Sequence, residues 1–126
     1  MAENNYTGGL VISEDVIAAI AINAAKDVDG VAGLGDRPKD LYTSFKVNAD
    51  NVRHVKVDIT ENDIKLHIYL ILTATAKIQD VSPAVQTAVK AAVQNMTGRV
   101  VTKVDVTIAG IESNNGDFSS DEPSEL

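Results

Sequence analysis

Two histidines, His54 and His67, and no cysteine set the metal chemistry open to this chain. Imidazoles with Asp58 nearby are the donor types of a metal site. In the hairpin pairing derived below, however, His54 falls beside Tyr69 and His67 beside Lys56. The rings are not directly opposed, and an ammonium next to His67 works against a bound cation. Both are read as surface histidines, and no metal or cofactor is expected. The glycine stretch "GVAGLG", Gly30–Gly35, contains G-x-x-G, the spacing of an RNA-clamping loop, and G-x-x-G-x-G, the spacing of a phosphate loop. Its setting fits neither. It closes a helix instead of opening one, its nearest charges are Asp27, Asp29 and Asp36, and no Lys-Ser/Thr follows. The carboxylate pairs Glu14/Asp15 and Asp27/Asp29 sit where a helix begins and where a turn follows. Ser13, Ser82 and Thr97 are hydroxyls with no histidine in the same motif. No nucleophile, base and oxyanion donor come together in the sequence, so no enzyme activity is expected.

Composition narrows the classes further. The chain has 126 residues, 44% of them hydrophobic and 4% aromatic, so one domain with an aliphatic core is expected. The longest apolar run, near Ile68 to Leu72, is far too short to cross a bilayer. Met1 to Thr7 is polar and lacks the layout of a secretory signal, so the expected location is cytoplasmic. Net charge is −7, yet residues 112–126 hold five acids and no base, which leaves 13 acids against 11 bases elsewhere. A body near neutrality and an acidic end both argue against nucleic acid, which selects a basic stripe. Residues 112–126 are read as an acidic disordered tail and residues 1–8 as a flexible lead.

These side chains must be positioned by elements that the periodicity predicts. A short strand is expected at Leu10–Ile12. Ser13 then caps a helix from about Glu14 to Asp27, with Ile17, Ile20, Ala21, Ala24 and Val28 on one side. The connection after Gly30 is read as a mobile segment and a contact surface. It includes a short helix over Pro38–Phe45 that brings Leu41, Tyr42 and Phe45 together beside Arg37 and Lys39. Val55, Val57 and Ile59 form a strand. After a turn at Glu61-Asn62, the even positions from Ile64 to Ile78 alternate as a second strand, so that Ile59 meets Ile64, Val57 meets Leu66 and Val55 meets Ile68. Ser82 and Pro83 open a second helix, whose stripe is Val85, Ala88, Val89, Ala92, Val93 and Met96, and Gly98 ends it. A last strand follows from Val100.

The predicted order, β-α-β-β-α-β, makes an α+β two-layer sandwich with two helices on one face of a mainly antiparallel sheet. The other face carries His67, Tyr69, Ile71, Val101 and Ala109. It is either a self-association surface or a half-polar solvent face.

The segment from Gly9 to Ile111 resembles the bacterial alkaline shock protein family of Gram-positive envelope and general stress proteins. The likeness lies in Gly9, Ile12-Ser13, the helix Ile17 to Ala25, and the step Val28, Gly30, Val31, Gly33. It continues in Val85, Gln86 and Val89, in Met96-Thr97-Gly98, and in the closing Val104, Val106, Ile108 and Gly110. A tyrosine-glycine that members often carry near the end of the long strand is replaced by Thr73-Ala74-Thr75-Ala76. The resemblance implies a non-catalytic cytoplasmic scaffold for protein–protein interaction, with an envelope or stress role. Some relatives are held at the membrane by a small anchor protein, which implies such a partner without direct insertion; with the uncovered sheet face and the empty chemistry, a homo-oligomer is expected. Its alternative is a regulator of fatty-acid synthesis linked to acetyl-CoA carboxylase. The interface residues expected are His67, Tyr69, Ile71 and Val101 on the sheet, with Leu41, Tyr42 and Phe45 in the connection.

Overall fold

The computed structural model describes residues 11–38 and 51–112. Along the chain run α1 (Glu14–Lys26), β1 (Val31–Leu34), a 3₁₀ turn (Asn51–Arg53), β2 (Val55–Ile59), β3 (Asp63–Leu72), α2 (Ile78–Thr97) and β4 (Val100–Ile111). The fold is α+β, with two helices and a four-stranded sheet. The first strand lies elsewhere than expected. Val11 and Ile12 are irregular, Leu10 lies outside the described residues, and β1 forms instead in the segment read as a connection.

Ser13 starts α1 as its sequence demands. Its backbone is extended, and its Oγ accepts the Val16 N–H at 3.1 Å. Glu14 and Asp15 occupy the first turn and Lys26 the last, each at the favourable end of the dipole. The Asp15 carboxylate also accepts from the backbone N–H and the side-chain amide of Asn51, at 3.1 and 3.3 Å, which ties the helix start to the 3₁₀ turn.

β3 is the spine of the sheet. The lower half of one edge pairs antiparallel with β2, with Val55 opposite Ile68, Val57 opposite Leu66, Ile59 opposite Ile64 and Asp58 opposite Lys65, the register expected from sequence. The upper half of the same edge pairs with β1, so β1 and β2 lie end to end. β4 runs parallel along the whole opposite edge. β3 stops at Leu72, short of the expected alternation, because Thr73–Ala76 turns. The Thr73 N–H donates to Gly30 O, and the Ala76 N–H donates to Thr73 O. The helix side of the sheet carries Ile64, Leu66, Ile68, Leu70 and Leu72, all 2% exposed or less, against Ile17, Ala21, Val85, Val89 and Val93.

α2 begins more than a turn before the expected cap. Lys77 stands at its N-cap without a side-chain bond, and Pro83 lies inside the helix. Its buried stripe is Val81, Val85, Val89 and Val93. Met96 does not extend that stripe, because it is 71% exposed. The helix then stops where the Met-Thr-Gly step places the stop. Gly98 is left-handed at φ 73°, and its N–H donates to Gln94 O. The Thr97 hydroxyl donates to Val93 O at 2.7 Å and accepts the Arg99 N–H at 3.1 Å. Gln94 Oε1 takes the Val101 N–H at 3.0 Å, which seats the first residues of β4.

Two extra residues break β4. Val101 pairs with Ile64 and Lys103 with Lys65, so Thr102 is bulged out. Ile108 pairs with Leu70 and Gly110 with Ile71, so Ala109 is bulged out.

Candidate functional site

The bulge at Thr102 corrects one expected interface residue. Uninterrupted alternation would put Val101 on the outer face with Lys103. The extra residue turns it inward, where it is 1% exposed within the helix-side core. Leu41, Tyr42 and Phe45, and the short helix expected there, lie outside the described residues, as do residues 1–10 and 113–126, where the flexible lead and the acidic tail were expected.

The outer face has two halves. At the upper end stand Tyr69 and Ile71, and this chain itself reaches over them. The Gly35 N–H donates to Tyr69 O at 2.8 Å. A Cβ at Gly35 would stand 2.6 Å from that of Ala109 and 3.8 Å from atoms of Ile71 and Tyr69. Only a glycine lets the backbone pass so closely. Tyr69 is consequently buried at 8% exposure, and Ile71 is half-buried. His54 secures this crossing, with Nδ1 donating to Gly35 O at 2.7 Å and Asp36 Oδ1 3.3 Å away. Arg37 is also buried. Its guanidinium donates to Val52 O at 2.7 Å, and its N–H donates to Arg53 O. Arg37 therefore anchors the segment where a free contact cation was expected.

The lower half is open and charged. Across β2, β3 and β4 one row reads Asp58, Lys65, Lys103 and the next Lys56, His67, Asp105. They surround a shallow depression of about 160 Å³. Lys103 pairs with Asp105 at 3.5 Å, and Lys65 faces Asp58 across the strands. His67 stacks flat on Tyr69, with centroids 4.6 Å apart, and its Nε2 lies 2.6 Å from Thr107 Oγ1. Burial lowers the pKa of His67 below its ordinary value. Asp105 opposes this, while Lys56, Lys103 and Arg37 reinforce it. This shift favours the neutral ring, which lies within hydrogen-bond distance of the Thr107 hydroxyl. At the near end of β3, the hydrogen bond from Thr60 lowers the pKa of Asp63; burial, next in size, opposes it, and Thr102 and the charge of Lys65 add to the lowering.

The glycine stretch forms no ligand loop. Gly30 is a left-handed turn packed on Val81 and Ala76, and Val31–Leu34 is β1. Among the described residues no group of three acidic or histidine side chains is placed to hold a metal ion, and no helix is long and apolar enough to cross a membrane.

The fold and this face define an α+β domain whose chemistry-bearing side chains are tied into its own architecture. The chain belongs to the alkaline shock protein 23 family, of cell envelope-related function, whose model matches residues 2–113. The resemblance to alkaline shock proteins drawn from its motifs is thereby confirmed. The chain is 32% identical over 112 residues to YqhY, an uncharacterized protein of Bacillus subtilis, covering 87% of this chain and 82% of that one. It is 32% identical to YloU of the same organism, covering 86% and 92%. To Spy1614 of Streptococcus pyogenes it is 27% identical, again covering 86% and 92%. Among solved structures it is similar to the MamM CTD, with a TM-score of 0.48 and 16% identity over 78% of this chain and 98% of that one. A likeness at that level says nothing of ligands or partners.

Proposed function

We propose that this chain is a non-catalytic protein-interaction domain. It self-associates and serves as a scaffold in a cell-envelope or stress role on the cytoplasmic side, reaching the membrane through a small anchor partner without inserting. One observation carries the reading: the groups that could do chemistry are engaged in structural bonds. His54 clasps Gly35, His67 stacks on Tyr69 beside Thr107, and Asp63 is held by Thr60 and Thr102. Meanwhile the lower half of the sheet face is open, and the outer edge of β4 has no paired strand among the described residues. Family membership supports the envelope role.

Sedimentation velocity of the full chain at tens of micromolar tests self-association. Interfaces of about −6 to −7 kcal/mol still register in that range. A dimer or larger species is expected, and a strict monomer would remove the scaffold reading. Recruitment through a partner is tested by fractionating cells that express the tagged chain. It should leave the membrane fraction when peripheral proteins are stripped, and retention after stripping would contradict it. No observation favours the regulator of fatty-acid synthesis.

A further inference from the structure

Self-association needs a surface, and the outer face is a poor one. Its apolar half is overlaid by Gly35, and Val101 has left it for the core. We propose that two copies of the chain join edge to edge through β4, antiparallel about a two-fold axis at Val106, making one continuous sheet. This rests on the self-association reading above and names its surface.

β4 is twelve residues long and pairs only with β3 among the described residues. Its two bulges, at Thr102 and Ala109, leave the run Lys103–Ile108 regular between them. A regular edge without a partner strand is a template for another strand. The side-chain amide of Gln86, on α2, donates to Val104 O at 3.0 Å, so β3 does not take that carbonyl. That carbonyl therefore faces the open edge. Alternation along the strand turns the backbone groups of Val104, Val106 and Ile108 the same way. The side chains of these three residues pack against the core yet remain only partly buried, and among the described residues no strand lies beside them.

The pattern of residues selects the register. Centred on Val106, the pairing sets Val106 against itself and Val104 against Ile108 of the second copy, all apolar and all between the bulges. On the outer face Asp105 then meets Thr107, and Lys103 meets Ala109, with no like charges opposed. Shifting the centre to Asp105 would oppose two carboxylates. Shifting it to Thr107 would set Val104 against Gly110 and lose an apolar pair. Gln86 must swing off Val104 O, and a ladder bond then replaces its own.

Because the chain has no cysteine, Val106→Cys places a single thiol on the proposed axis. Hydrogen-bonded antiparallel partners stand about 5.5 Å apart at Cα, within disulfide range. Mild oxidation should give a covalent dimer from Val106→Cys and none from Lys65→Cys, which reports on the outer face. A second variant, Val106→Pro, removes an N–H that faces the open edge, a position where a strand tolerates proline. It should weaken dimerisation at least about tenfold in Kd by sedimentation while the circular-dichroism spectrum stays native. A native-sequence chain that dimerises, with Val106→Cys failing to cross-link or Lys65→Cys cross-linking instead, would overturn the edge pairing alone. A native-sequence chain that stays monomeric would overturn both this surface and the self-association on which it rests.

Discussion

Gly98→Ala isolates the strain of one left-handed residue. Gly98 ends α2 at φ +73°, and a Cβ there would meet no atom within 4 Å. Packing adds nothing, so the destabilisation should be the left-handed strain alone, about 1–2 kcal/mol. At about 4–8 °C per kcal/mol for a domain of this size, the melting temperature should fall by roughly 4–16 °C. Gly30 supplies the contrast. Its φ is +98°, and a Cβ would stand 2.7 Å from Val81 Cγ2 and 3.1 Å from the Ala76 Cβ. Val81 is 5% exposed and has no room to retreat. Gly30→Ala therefore adds overpacking, typically about 1–3 kcal/mol, to the same strain. Urea and thermal unfolding of both variants, each also made in a Val81→Ala background, separates the terms. Gly30→Ala should do less harm once Val81 is truncated, whereas Gly98→Ala should be additive with it. Equal destabilisation by the two glycine substitutions, or a neutral Gly98→Ala, would refute the assignment of strain to one site and strain plus clash to the other.

Ile68→Ala should cost about 2–5 kcal/mol, because the side chain is fully buried at the centre of β3. Met96→Ala, at 71% exposure, should stay within about 0.5 kcal/mol by urea unfolding, and a large loss would restore Met96 to the core. Ser13→Ala removes the acceptor of the Val16 N–H and should cost about 1 kcal/mol; an unchanged unfolding midpoint would deny the cap. For His67, burial with Lys56, Lys103 and Arg37 lowers the native pKa below 6.5, against the pull of Asp105. The unfolded chain then binds the proton more readily, so stability is constant above that value and declines as pH falls below it toward the lowered native pKa. Melting temperatures from about pH 5 to 8 should show this decline, and His67→Gln should flatten it; an identical slope in the variant would assign the decline to other groups.

The β2–β3 hairpin was legible residue by residue, because a period of two fixes which face each side chain takes and the apolar face admits one register. The helix stop at Gly98 was legible for a similar local reason, since few residues adopt positive φ. The start of α2 was not. Thr73, Ala74, Thr75 and Ala76 carry little hydrophobic contrast, so alternation appeared to continue through a turn that Gly30 imposes from far along the chain. β1 was missed because Val31–Leu34 is four residues rich in glycine and alanine. It becomes a strand by docking on Leu70, Ile71 and Leu72, a long-range match that no window around it contains.

The same limit explains the interface residues. Alternation assigns faces only while no residue is inserted, and β4 carries two insertions that its own sequence does not mark. "VVTKVDVTIAGI" reads as smoothly at Thr102 and Ala109 as anywhere else. The bulges appear once β4 is laid against β3, where Ile64 claims Val101 for the core and Ile71 meets Gly110. They matter for interaction as well as for burial. They bound the regular run Lys103–Ile108, so any strand that joins this edge has six residues in which to find its register, and in that span the register with apolar partners and no opposed like charges is the one centred on Val106.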